Sequence, residues 1–135
     1  MSELQIVRTL DAAPDAVWRA FTTAEGLAGW IWPPSWQTVA EIDLTVGGRY
    51  RIASGPNDMA VGGEFIEIAA PTRLAQTWQW EGDSHRTIVV VGLSAAGTGT
   101  ELTLEHGGFL TDEDRDNHIQ GWNDCLDRLS PYLHH

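Results

Sequence analysis

Six strand-like segments between residues 37 and 106 constrain the fold of this chain more than any other feature. Their apolar residues alternate or form short runs, which is typical of β-strands. We predict strands at 37–44, 48–54, 60–69, 72–81, 86–94 and 99–106. The connections are short and rich in turn residues, as at Gly82-Asp83-Ser84. Because strands joined by short turns run antiparallel, this part of the chain predicts an antiparallel meander.

One long amphipathic helix is predicted at 112–133, directly after the meander. Thr111 and Asp114 have capping-box spacing, and the acidic residues of the first turn complement the helix N-terminus. The apolar stripe of this helix includes Trp122, Leu126 and Leu129, and it has to pack on a large apolar surface. Only the sheet offers such a surface.

The N-terminal part is predicted to hold one more strand and two short helices. Residues 3–10 alternate as a strand, and 14–21 begin with a proline, which suits the first turn of a helix. Thr22 and Glu25 have capping-box spacing for a second helix that reaches about Trp30.

These elements together predict an α+β domain spanning 1–135, with a curved antiparallel sheet of six or seven strands wrapped around the C-terminal helix. A sheet that grips a helix in this way often leaves a cavity between them. The last two residues, His134 and His135, resemble the start of a purification tag and are left out of the site.

Charge and cysteine content exclude several functions. The net charge is −11, there is no lysine, and the eight arginines are scattered. A nucleic-acid partner or an anionic membrane would require a basic face, so neither is expected. The single cysteine rules out an internal disulfide, and the N-terminus lacks the pattern of a signal peptide. We therefore expect an acidic cytoplasmic protein.

Tryptophan is unusually frequent, with seven residues against three Phe and two Tyr. Trp30 and Trp32 lie at the crossing from helix to sheet, while Trp78 and Trp80 share one face of a strand. Trp122 lies on the helix that this face should contact. Because a core is more easily built from aliphatic side chains, we interpret the indoles as walls of a pocket.

The chain resembles the START-like helix-grip superfamily, in the branch related to the C-terminal domain of the Hsp90 ATPase activator. The segments that carry the resemblance run through most of the sequence: 13–22 (APDAVWRAFT), 26–30 (GLAGW), 46–51 (VGGRYR), 63–65 (GEF), 71–74 (PTRL), 77–78 (TW), 99–106 (GTELTLEH) and 118–122 (HIQGW). The resemblance implies a cavity for a small hydrophobic molecule between helix and sheet. It implies no catalytic residue, metal or cofactor.

Two histidines are the best polar candidates for binding a ligand in this cavity. His106 is expected at the end of a strand, and His118 one turn before Trp122 on the same helix face. Either imidazole could orient a ligand or act as a general base, and Asp114 could hold His118. The alternative is that each is a hydrogen-bonded structural histidine. The predicted ligand-binding set is Trp30, Trp32, Trp78, Trp80, His106, Phe109, His118 and Trp122.

Three functions remain open at this point. The favoured one is binding of a small hydrophobic, aromatic or polyketide-like molecule, without turnover. The second is a cyclase or lyase that uses a pocket histidine. The third is a protein-interaction module that acts on Hsp90, as relatives do. A homodimer is also left open.

Overall fold

Seven antiparallel strands form one sheet in this computed structural model, which describes residues 2–134. The chain order is β1 (Ser2–Leu10), α1 (Pro14–Thr22), α2 (Ala24–Trp30), a short 3₁₀ helix (Pro34–Trp36), β2 (Thr38–Ile42), β3 (Arg49–Ser54), β4 (Met59–Ala69), β5 (Arg73–Trp80), β6 (Thr87–Ala96), β7 (Gly99–Phe109) and α3 (Asp112–Leu133). The predicted α+β architecture is confirmed, with seven strands. His135, part of the suspected tag, lies outside the described residues.

The sheet order is β1-β7-β6-β5-β4-β3-β2. Strands β2 to β7 form the predicted meander, and β1 pairs with β7 at the far edge. Leu102, Leu104 and His106 on β7 are all 0% exposed, so alternation directs them to one buried face. The apolar stripe of α3 shares the same core, through Trp122 and Leu129. In the described part of the chain, no helix is long and apolar enough to cross a membrane.

Most predicted element ends differ from the observed ones by one or two residues, and two of the differences have a clear local reason. Strand β7 does not end before Gly107-Gly108 but continues to Phe109. Gly108 adopts φ +96° and forms a bulge opposite β1, which lets the pairing resume beyond it. The cap of α2 is Thr23, which accepts from the Gly26 N–H at 3.0 Å, whereas the Thr22 hydroxyl donates to the Trp18 carbonyl. The predicted Thr111 cap of α3 is confirmed.

A hydrogen-bond chain through His106 joins α3 to three strands. The indole Nε1–H of Trp122 donates to His106 Nδ1 at 3.0 Å, so the proton of the neutral ring is on Nε2. That Nε2–H donates to Thr87 Oγ1 at 2.6 Å, and the Thr87 hydroxyl donates to the Trp78 carbonyl at 3.1 Å. Every polar atom of the ring is thus paired inside the core. This is the arrangement of a structural histidine.

Burial and, to a smaller extent, the neighbouring His118 ring lower the pKa of His106 from the ordinary 6.5 to about 3. The unfolded chain therefore binds a proton that the folded chain excludes. The stability that depends on the neutral His106 ring is fully present above about pH 6.5 and is lost as pH falls toward about pH 3.

Between about pH 6.5 and pH 3, the free energy of unfolding of the wild type should fall as pH decreases. Its slope should exceed that of His106→Gln by up to about 1.4 kcal/mol per pH unit. Urea unfolding at several pH values measures both slopes. At neutral pH the variant should be less stable by about 1–3 kcal/mol, because Trp122 and Thr87 lose their partner. If the variant does not fold, ¹⁵N NMR of the wild type decides: a His106 ring that protonates near its ordinary pKa would contradict the assignment.

Candidate functional site

A cavity of about 420 Å³ lies between α3, the end of β5 and the segment that follows α2. We call it the tryptophan pocket. Its sheet and loop side comprises Ile31, Trp32, Pro33, Trp36, Trp78 and Trp80. Its helix side comprises Asn117, His118, Gly121, Trp122, Asp124, Cys125 and Arg128. Five of the seven tryptophans therefore meet around one space.

The indoles form a continuous series of ring contacts. Trp36 lies 5.2 Å from Trp32, between centroids, and Trp32 stacks on Trp80 at 6.1 Å with planes 15° apart. Trp80 meets Trp78 edge-on at 5.8 Å, and Trp78 lies 5.1 Å from Trp122. Such packing fixes each ring against its neighbours. The walls consequently present flat, rigid apolar faces to whatever enters.

The eight residues predicted for the site separate into two groups. Trp32, Trp78, Trp80, His118 and Trp122 line the pocket. The other three, Trp30, His106 and Phe109, are 0% exposed and lie in the core behind it. The Trp30 indole donates to the Ala20 carbonyl at 2.8 Å, and the Phe109 ring packs 4.5 Å from His106.

His118 is the one histidine in the pocket wall among the described residues. Its Nδ1–H donates to the Asp114 backbone carbonyl at 2.8 Å, while the Asp114 carboxylate lies further away at 3.5 Å. Its Nε2 accepts from the Trp80 indole N–H at 3.3 Å. Asp114 thus holds the ring as expected, mainly through its backbone. Both ring nitrogens are engaged with the protein in the neutral state.

Sequence reasoning included Trp30 and Trp32 but missed Arg128 and the backbone carbonyls at the end of α2 that it binds. The Arg128 guanidinium donates to the Trp30 carbonyl at 3.2 Å and to the Ile31 carbonyl at 2.8 Å. Carbonyls at the end of a helix lack intrahelical partners, so α3 completes the C-terminus of α2. The Cys125 thiol also donates to Ile31, and burial raises its pKa to about 11. It is a protonated wall residue.

Gly121 and Trp78 add two unusual features to the wall. A Cβ built on Gly121 would meet nothing within 4 Å, although glycine inside a helix is unfavourable. The indole N–H of Trp78 is buried without a hydrogen-bond partner within the described residues. Because this nitrogen is also inaccessible to solvent, an acceptor in the open part of the pocket would not reach it. No group of three or more His, Cys, Asp and Glu side chains in residues 2–134 could hold a metal ion.

A second concavity of about 520 Å³ lies over the outer part of the sheet. Its walls carry Glu41, Arg49, Arg51, Glu81 and Asp83. Arg51 and Glu81 already pair with each other, and both are exposed. This surface is exposed and charged, so the tryptophan pocket is the better candidate for binding an organic molecule.

Solved structures of the same fold extend over nearly the whole chain. Protein CV1439 from Chromobacterium violaceum is 26% identical with a TM-score of 0.82, covering 97% of this chain and 96% of its own. CalU16 from Micromonospora echinospora is 28% identical with a TM-score of 0.77, covering 97% and 75%. An HSP90 activator from Plasmodium falciparum is 24% identical with a TM-score of 0.80, covering 98% and 96%. No curated protein matches significantly.

A family model described as "Activator of Hsp90 ATPase homolog 1-like protein" matches residues 11–134. The match includes both short helices, six of the seven strands and α3. It agrees with the resemblance carried by the sequence motifs. The chain therefore belongs to the Activator of Hsp90 ATPase homolog 1-like family, a branch of the START-like superfamily.

Proposed function

We propose that this protein binds a small, flat, hydrophobic molecule, aromatic or polyketide-like, in the tryptophan pocket. The observation that carries the proposal is the open space of about 420 Å³ enclosed by five indoles. Ligand pockets of proteins commonly have volumes of about 300–1,000 Å³ and mostly apolar walls. A planar ring that enters would be bounded by Trp32, Trp36 and Trp80. Its affinity would come mainly from burial of apolar surface.

Two polar side chains of α3, His118 and the half-buried Arg128, line the pocket and support a ligand with a hydrogen-bonding group. A few polar groups in an apolar pocket fix the orientation of a ligand more than they add to affinity.

The presence of glycine at position 121, which leaves the pocket free of a side chain there, supports the same proposal. Helix α3 has glycine at the middle of its pocket-facing surface, where any larger residue would reduce the space. Glycine in a helix interior costs about 0.5–1 kcal/mol relative to alanine. An open pocket is therefore kept at some expense to helix stability.

The other two functions have less support. An enzyme with a pocket histidine would need a free ring nitrogen, but His118 uses both nitrogens and His106 lies behind the wall. A module that acts only through its surface would not need an open aromatic cavity.

We also infer a cytoplasmic location, where the buried thiol of Cys125 stays reduced.

We expect 2-naphthamide, a neutral planar probe, to shift the NMR signals of the pocket indoles. In a ¹H–¹⁵N spectrum the Nε1–H signals of Trp32, Trp36 and Trp80 should move by ring-current effects and by direct contact. Those of Trp18 and Trp30, which lie outside the pocket, should stay in place and provide the internal control. Absence of any shift at millimolar probe, or equal shifts at Trp30, would contradict the proposal.

Substitution of Gly121 separates helix stability from binding. Gly121→Ala should raise the free energy of unfolding by about 0.5–1 kcal/mol, because the new methyl group meets no atom. Gly121→Leu should also fold, but its side chain has room to enter the pocket and should weaken 2-naphthamide binding about tenfold or more. Chemical denaturation and calorimetric titration measure the two effects.

Ser130→Leu is the matched control, because Ser130 is an exposed α3 residue outside the pocket wall. It adds the same apolar side chain and should leave the probe affinity unchanged. Equal affinity in Gly121→Leu and Ser130→Leu would show that the probe binds elsewhere.

A further inference from the structure

Arg128 has an unusual charge environment for this protein. The chain has 19 acidic residues and only eight arginines. Three arginines in the described part of the chain are partly buried, namely Arg8, Arg115 and Arg128. Arg8 and Arg115 form salt bridges with aspartates. Arg128 pairs with no carboxylate of residues 2–134, although it lies in the wall of an aromatic pocket.

The partners of Arg128 leave part of its guanidinium unused. Nε and Nη2 donate to carbonyls at the end of α2, and Nη2 also approaches the Cys125 sulfur at 3.6 Å. Nη1 makes no hydrogen bond within the described residues. Carbonyls satisfy the donors but do not neutralise the charge. A full positive charge therefore remains beside a pocket whose other walls are mainly apolar.

The surroundings of Arg128 favour an anionic oxygen as its additional hydrogen-bond partner. Asp124, one helical turn away, is the nearest acidic residue of the wall, but it is exposed and accepts from the Gln120 amide instead. Indole walls lower the local polarity, and charge-assisted hydrogen bonds are stronger there than in water. An anionic oxygen that reaches Nη1 would gain a partner that is fixed in position by α2.

We propose that the ligand carries one anionic group, a carboxylate on an aromatic or apolar body, and that Arg128 binds it while the indoles hold the body. The inference rests on the proposed function, since it concerns the same pocket. The guanidinium has the planar donor geometry that suits carboxylates. The net charge of −11 would repel an anion at long range, so the preference has to come from this local contact.

The test compares 2-naphthoate with its neutral isostere 2-naphthamide by calorimetric titration at moderate salt. The wild type should bind 2-naphthoate about tenfold more tightly than 2-naphthamide. Arg128→Gln keeps a donor for the α2 carbonyls and removes the charge. It should reduce the preference to within about twofold, with little change for the amide.

Arg115→Gln is the control for net charge, because Arg115 is on the same helix but outside the pocket wall. It should keep the full preference. Asp124→Asn removes a negative charge from the wall and should strengthen naphthoate binding severalfold without affecting the core, which makes it the second test if Arg128→Gln does not fold.

The two proposals fail in different ways. Equal binding of both probes by the wild type, or a preference that survives in Arg128→Gln, overturns the assignment of the anion site and leaves the pocket in place. If neither probe binds to the wild type, the proposed function is overturned and this inference with it. Weaker naphthoate binding in Asp124→Asn also counts against an anion at this end of the pocket.

Discussion

The contact between the Trp122 indole and His106 determines how α3 lies on the sheet. An indole N–H has one direction in which to donate, and here its acceptor is a ring fixed on β7 and bonded onward to β6. The helix can therefore neither rotate nor slide without breaking a buried hydrogen bond. Trp122 packs on Trp78 at the same time, so one residue sets both the helix orientation and one wall of the pocket.

The pocket follows from this orientation and from the way in which α2 ends. With Trp122 turned toward the sheet, the neighbouring face of α3 from Asn117 to Arg128 is directed to the segment after α2. Arg128 and Cys125 bind the carbonyl groups there and hold that segment to the helix. The prolines that follow prevent α2 from continuing across the gap. Space remains because the chain turns away at this point.

The local part of this arrangement could be predicted from the sequence. Alternation places Trp78 and Trp80 near one space, turn residues separate the strands, and Thr111 caps α3. How deeply a side chain is buried, and which residues far along the chain it bonds to, could not be predicted. Alternation assigns His106 to the inner face, but only the fold shows that it lies behind the pocket. The role of Arg128 depends on carbonyls about a hundred residues away. Which of the predicted residues touch a ligand stays a prediction.

Two polar side chains of α3 line the pocket without belonging to the core. Asn117 and Asp124 are both exposed to solvent. Substitutions at such positions usually change stability by less than about 0.5 kcal/mol. The chemistry of the pocket wall can therefore be changed at these two positions while the tryptophan walls and the His106 hydrogen-bond chain stay intact. Wall chemistry and stability of the fold are largely separable there, which makes both positions suitable for redesign.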